Sequence, residues 1–184
     1  MSGNASGFSG PMDLPLVLQA VVFAAEKHRG QVRKDADSTP YIQHPVGLAS
    51  LLWEVGVHDA DTLAAAILHD TIEDTPTTHD ELESAFSRSV ADLVAEVTDD
   101  KRQPKAMRKQ RQVEHAAHLS AKACYIKLAD KICNLRDVAG AAPVGWSLER
   151  RREYFEWARA VVQNLPEKPP KLMALFEEAY SAKP

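Results

Sequence analysis

Apolar residues recur at intervals of three and four along almost the whole chain, the spacing of one helix face rather than the alternation of a strand. From Asp13, a stripe of Leu14, Val17, Leu18, Val21, Val22 and Ala25 predicts a first helix, with Pro15 in its opening turn and an end before Gly30. A second helix follows in HPVGLASLLWEVG (44–56), where Pro45 suits a first turn and Gly56 a C-terminal cap. A third is predicted from about Asp61 into His69, and THDE (78–81) matches the capping box of a short fourth. SVADLVAEVT (89–98) supplies a fifth, and PKAMRKQRQVEHAA (104–117) a polar, more exposed sixth. SAKACYIKLADKICNLRDV (120–138) reads as a long seventh. Ser147 can cap an eighth over 148–165, and Pro169 with Pro170 opens a last one through Tyr180.

No strand pattern, repeat or long linker interrupts this series after the first dozen residues. The expectation is an all-α fold, a compact bundle of about eight to ten helices whose core comes from helix-on-helix packing. Residues 1–12 read as a flexible polar tail, and 13–184 as one domain.

Composition adds exclusions. A chain with 45% hydrophobic and 26% charged residues is ordinary for a globular protein. No apolar run approaches the roughly 20 residues of a bilayer span, and the N-terminus lacks the basic and apolar regions of a signal peptide. Cys124 and Cys133 form no metal-type pair, so a reduced, cytoplasmic protein is expected. A net charge of −4 argues against general nucleic-acid binding. It leaves room for an anionic small molecule, because the basic clusters HRGQVRK (28–34) and KRQPKAMRKQR (101–111) can reverse the field in one cleft.

Several polar residues lie where packing alone does not explain them. In the seventh helix Leu128, Ile132 and Leu135 form a core seam, while Asp130, Asn134 and Asp137 repeat the same spacing on another side. A half-buried Asp130 needs a cationic partner, for which Lys127 or Lys131 would serve, or a metal. His44, just before Pro45, reads as a helix cap or as a ligand. His69 and Asp70 end an apolar helix and so face the interior. Two histidines and two aspartates make a mixed nitrogen and oxygen set suited to Mn²⁺, Fe²⁺ or Zn²⁺. Glu73 and Asp74, one turn further on, sit on a polar turn before Pro76 or serve as the base that such a metal site requires. His28, His58, His79, His115 and His118 are read as surface or packing residues.

A lone histidine, a His-Asp pair and a distant aspartate, all on helices, resemble the HD superfamily of metal-dependent phosphohydrolases. The longer stretches HRGQVRKDADSTPYIQHPVGLA, AAAILHDTIEDT, VADLVAEVTDDK and KLADKICNLRDV resemble the hydrolase domain of RelA/SpoT-type alarmone enzymes, from about residue 17 to about residue 165. GWSLERRREYFEWA narrows the likeness to small hydrolase-only members, the metazoan SpoT homologue among them.

The resemblance implies Mn²⁺ held by His44, His69, Asp70 and Asp130, and a water positioned by Glu73 and Asp74. It implies guanine contacts by Arg33 and Lys34, a ribose or phosphate contact by Asn134, and a nucleotide site completed by Lys105, Trp146, Arg150 and Tyr154. The implied reaction removes the 3′-pyrophosphate of (p)ppGpp to give GDP or GTP. With the sequence ending at Pro184, no synthetase domain is expected. Removal of the 2′-phosphate of NADPH and non-catalytic alarmone binding stand as alternatives. Neither nucleic acid nor membrane is expected as a partner, and the oligomeric state is open.

Overall fold

The computed structural model describes residues 13–184. The opening stretch expected as a tail, residues 1–12, lies outside them. Among the described residues ten α-helices follow one another: α1 Leu14–Lys27, α2 Gln43–Glu54, α3 Ala60–Leu68, α4 Thr71–Asp74, α5 His79–Ala85, α6 Arg88–Val97, α7 Lys105–His115, α8 Ala121–Gly140, α9 Leu148–Asn164 and α10 Pro170–Ser181. The one pairing of extended backbone among them is an isolated bridge between Val32 and Pro40. None of these helices is long and apolar enough to cross a membrane.

Local chemistry sets most boundaries. Asp13, Asp59, Thr78, Ser87, Ser120 and Ser147 each accept a first-turn backbone N–H and cap α1, α3, α5, α6, α8 and α9. Gly56, at φ +101°, turns the chain after α2 in the left-handed conformation that glycine adopts without strain. The third helix starts at Ala60 behind its Asp59 cap, slightly earlier than expected, and stops at Leu68.

Helices α3 and α8 form the centre. Ala64, Ala65 and Ala66 are fully buried, and their small side chains let α1, α2 and α6 approach α3 closely. Helix α8 lies against α2, α3, α6, α9 and α10. Its Leu128, Ile132 and Leu135 are all fully buried, as their spacing predicts. By contrast α7 buries none of its residues.

One expectation about a face is corrected. The α1 stripe does not point inward as a unit, since Leu14, Leu18 and Val22 are 53%, 55% and 68% exposed. The buried positions are Ala20 and Ala24, which face the alanine-rich α3. Close approach between two small-residue surfaces selects a narrow strip and leaves the larger apolar arc outside.

Candidate active site

Three structural decisions converge on one cleft. The first turn of α2 carries His44. The junction after α3 carries His69 and Asp70. The middle of α8 carries Asp130 and, one turn on, Asn134. His44 Nε2 lies 3.3 Å from Asp130 Oδ1, and His69 Nε2 lies 3.9 Å from the same oxygen and 3.0 Å from Asp70 Oδ2. One donor atom each from His44, His69 and Asp130 falls within 4.8 Å of the others, the spacing of ligands around one cation. The two imidazole centroids are 5.3 Å apart.

The chemistry of this set fits a divalent metal. His69 Nδ1 is 2.8 Å from the Ala66 carbonyl, which can only accept, so Nδ1 carries the proton. Nε2 is thereby turned toward the carboxylates, where it is buried without a hydrogen-bond partner. A backbone carbonyl fixing the tautomer of a buried imidazole is the usual support of a metal-binding histidine. The capping alternative for His44 is not what the structure holds: α2 starts after Ile42 without a side-chain cap, and His44 turns to Asp130.

Neighbouring cationic groups hold the carboxylates ionised. Burial alone would raise Asp130, yet Lys131, His44 and His69 bring it well below the ordinary carboxylate range. Burial opposes charge on Asp70 too, and the adjacent His69 overrides it, leaving Asp70 strongly lowered. His69 responds in the opposite sense: burial favours its neutral form, but Asp70 and Asp130 raise it to about 9. Lys131 Nζ donates to Asp130 Oδ2 at 3.1 Å, so the ordinary lysine partner exists alongside the histidine cluster. Lys127 points elsewhere, donating to the Val97 carbonyl at 2.8 Å.

Glu73 and Asp74 occupy a short helix of their own, α4, rather than a plain turn. Glu73 lies 3.5 Å from the Arg108 guanidinium and accepts from the Asp99 N–H at 3.3 Å. Its pKa is raised, chiefly by burial and then by Asp70 and Asp99. Asp74 pairs with Lys101, and its carbonyl accepts from Gln31. Both carboxylates line a cleft of about 330 Å³ together with His44, His69, Asp70 and Asp130.

That cleft continues into a larger one of about 770 Å³, and Arg33, Lys34, Asn134 and Tyr154 line both. Arg33 donates to Asn134 at 2.9 Å and pairs with Asp137, which fixes the guanidinium at the shared wall. Lys34 is tied to the far loop through its carbonyl, which accepts from the Val144 N–H. Trp146 lines the larger cavity and packs against Tyr154 with ring centroids 5.5 Å apart and planes tilted by 59°. Lys105 and Arg150 do not line either cavity. They stand behind Trp146, with Arg150 4.3 Å and Lys105 5.9 Å from its ring.

Sequence reasoning missed three residues whose side chains reach the carboxylates of this group. Tyr41, one turn before His44, donates to Asp70. Lys101 and Arg108 reach Asp74 and Glu73 from the basic run at 101–111. The run itself was visible in the sequence, but not which of its cations turn inward.

A family model described as HD domain matches residues 20–154. This chain belongs to the HD-domain family. Within that family it is 54% identical over 151 residues to a Danio rerio protein named guanosine-3′,5′-bis(diphosphate) 3′-pyrophosphohydrolase MESH1, covering 82% of this chain and 84% of the relative. The Homo sapiens protein of the same name is 55% identical over 150 residues, covering 81% and 84%. A solved HD-domain structure, described as a metazoan ortholog of SpoT that hydrolyzes ppGpp and plays a role in starvation responses, superposes with a TM-score of 0.88. That match has 41% identity and covers 94% of this chain and 97% of the other.

Proposed function

We propose that this HD-domain protein is a Mn²⁺-dependent hydrolase that removes the 3′-pyrophosphate of ppGpp or pppGpp, giving GDP or GTP. The observation that carries the reading is the buried His44, His69, Asp130 cluster with Asp70, Glu73 and Asp74 in the same cleft. Relatives named for this reaction support the choice of substrate.

His44, His69, Asp70 and Asp130 would hold the cation. When bound, a divalent metal supplies Lewis acidity toward water and phosphate oxygens. The rest of the task falls to the chain. Glu73, whose raised pKa brings it nearer neutrality than an ordinary glutamate, accepts a proton from the attacking water. The water oxygen bonds to the phosphorus next to the 3′-oxygen, that P–O bond breaks, and the departing 3′-oxygen takes up the proton that Glu73 received, leaving as a hydroxyl. Asp74 orients the water. Arg33 offers a planar fork fixed by Asn134 and Asp137, suited to base stacking or a bidentate phosphate contact. Trp146 and Tyr154 supply an aromatic wall, Lys34 adds positive charge for the phosphates, and Lys105 and Arg150 act through the Trp146 ring they flank.

A cytoplasmic location is part of the proposal. Cys124 and Cys133 are free thiols nine positions apart on one straight helix, roughly 13 Å by helical rise and out of disulfide reach.

Purified protein with MnCl₂, offered ppGpp, pppGpp and NADPH, should release pyrophosphate from the first two. Pyrophosphate and phosphate are measured separately. No pyrophosphate from ppGpp refutes the proposal, and phosphate from NADPH would assign a 2′-phosphatase instead.

A further inference from the structure

We infer that Tyr41 is a positioning residue that fixes the Asp70 carboxylate for the cation and links it to Asp74. The inference rests on the metal-binding reading given above.

Tyr41 belongs to the loop between α1 and α2, yet its hydroxyl donates to Asp70 Oδ2, at the end of α3, and lies 3.5 Å from Asp74 Oδ2 on α4. His69 Nε2 approaches that same Asp70 oxygen at 3.0 Å. Both contacts fall on Oδ2, and Oδ1 carries neither. The phenol thus bonds the Asp70 oxygen that faces the His69 imidazole, and a donor on that oxygen fixes the direction of the carboxylate beside the cluster.

The loop is held so that the hydroxyl can do this. The Tyr41 ring stacks on His28 with centroids 4.6 Å apart and planes tilted by 31°. His28 is buried and bonded through Nδ1 to Gln31 Oε1 at 2.8 Å, and Gln31 Nε2 donates to the Asp74 carbonyl at 3.0 Å. Tyr41, His28 and Gln31 thus close a circuit from Asp70 back to Asp74. Ring packing would be served equally by phenylalanine. Only the hydroxyl, aimed at a carboxylate in a charge-assisted bond, calls for tyrosine.

Tyr41→Phe keeps the ring and removes the donor. On the Mn²⁺-loaded protein, competition with a chelator should show Mn²⁺ affinity weakened by about 10–100-fold, the range for loss of a partner of a metal ligand. The kcat for ppGpp should fall with it, while KM and the melting temperature stay at wild-type values. Tyr41→Ala should lose melting temperature as well. Wild-type Mn²⁺ affinity in Tyr41→Phe overturns the role, as does absence of Mn²⁺ binding by the wild-type protein. The affinity measurement needs no turnover, so failure of the nucleotide reading would appear separately, as a metal-binding wild-type protein that releases no pyrophosphate.

Discussion

Asp130 serves a metal-binding cluster and a buried lysine at once, and the two roles can be separated. In Asp130→Ala, Lys131 loses its carboxylate at 3.1 Å while its side chain remains only 3% exposed. Stranding a buried ion in this way costs about 3–5 kcal/mol. Two features place this case at the low end. The Trp157 ring stays 4.3 Å from Lys131 Nζ, and Asp130 itself retains 14% side-chain exposure. A loss of about 3 kcal/mol, at about 2–4 °C per kcal/mol for a chain of this size, lowers the melting temperature by about 6–12 °C.

The assay is thermal unfolding by circular dichroism in EDTA, so that metal binding adds nothing to stability. Asp130→Ala combined with Lys131→Met removes both charges and should recover most of the loss, because deleting a whole buried pair is often close to neutral. The coupling between the two substitutions should then be about 2–3 kcal/mol. With MnCl₂ present, the wild type should gain stability and both Asp130 variants should not. Additive effects in EDTA, or an Asp130→Ala protein that melts with the wild type, would refute the claim that Lys131 depends on Asp130.

Glu73→Gln should retain Mn²⁺ while kcat falls by about 10²–10⁴-fold, the usual contribution of a positioned base. Because the folded pKa of Glu73 is raised above 4.5, its stability contribution is present below the unfolded value and lost as pH rises through the folded one. The Gln variant should therefore melt no lower than wild type at neutral pH in EDTA. A melting temperature lower at neutral pH would contradict that sign. Arg33→Lys gives up the Nη2 bonds to Asn134 and Asp137 and the planar guanidinium, and steady-state kinetics with ppGpp should show kcat/KM reduced by about 10–100-fold. Asp59→Ala removes the cap on Thr62 N at 3.0 Å, the Thr62 hydroxyl bond at 2.6 Å and the Lys122 ion pair at 2.7 Å. Urea unfolding should show a loss of about 1–2 kcal/mol from the cap with an unchanged m-value.

Features encoded within one or two helical turns were legible in the sequence. The caps at Thr78 and Ser147 and the buried seam Leu128, Ile132, Leu135 follow from local spacing and side-chain chemistry. So does the shared face of Asp130 and Asn134, four residues apart, where Asn134 donates to Asp130 at 2.5 Å. The inward face of α1 was not legible, because its apolar arc is wider than the strip that meets α3 and only the partner decides which part is covered. Nor were Tyr41 to Asp70, Arg108 to Glu73 and Lys101 to Asp74, since nothing local ties residues about 30 positions apart.

The least legible feature, the break between α3 and α4, is also the one that makes the cleft. Adjacent residues on a continuous helix point about 100° apart. The chain instead leaves α3 at His69 and places Asp70 at φ −101°, ψ 0°, in the sparsely populated bridge between the helical and extended regions. Asp70 then stands at the N-cap of α4, one of the best capping residues in the right place, yet its side chain makes no capping bond. Asp13 and Asp59 at equivalent positions both do. Unlike the extended Asp59, Asp70 keeps these near-helical backbone angles, which do not aim its side chain at the first-turn N–H groups, and its carboxylate is engaged by His69 and Tyr41. A four-residue helix with no side-chain cap draws little stability from local preference and is held by the rest of the fold, a local-to-global conflict of the kind that collects at functional sites. That diverted aspartate identifies the cleft on grounds independent of the His-Asp motif and of any relative.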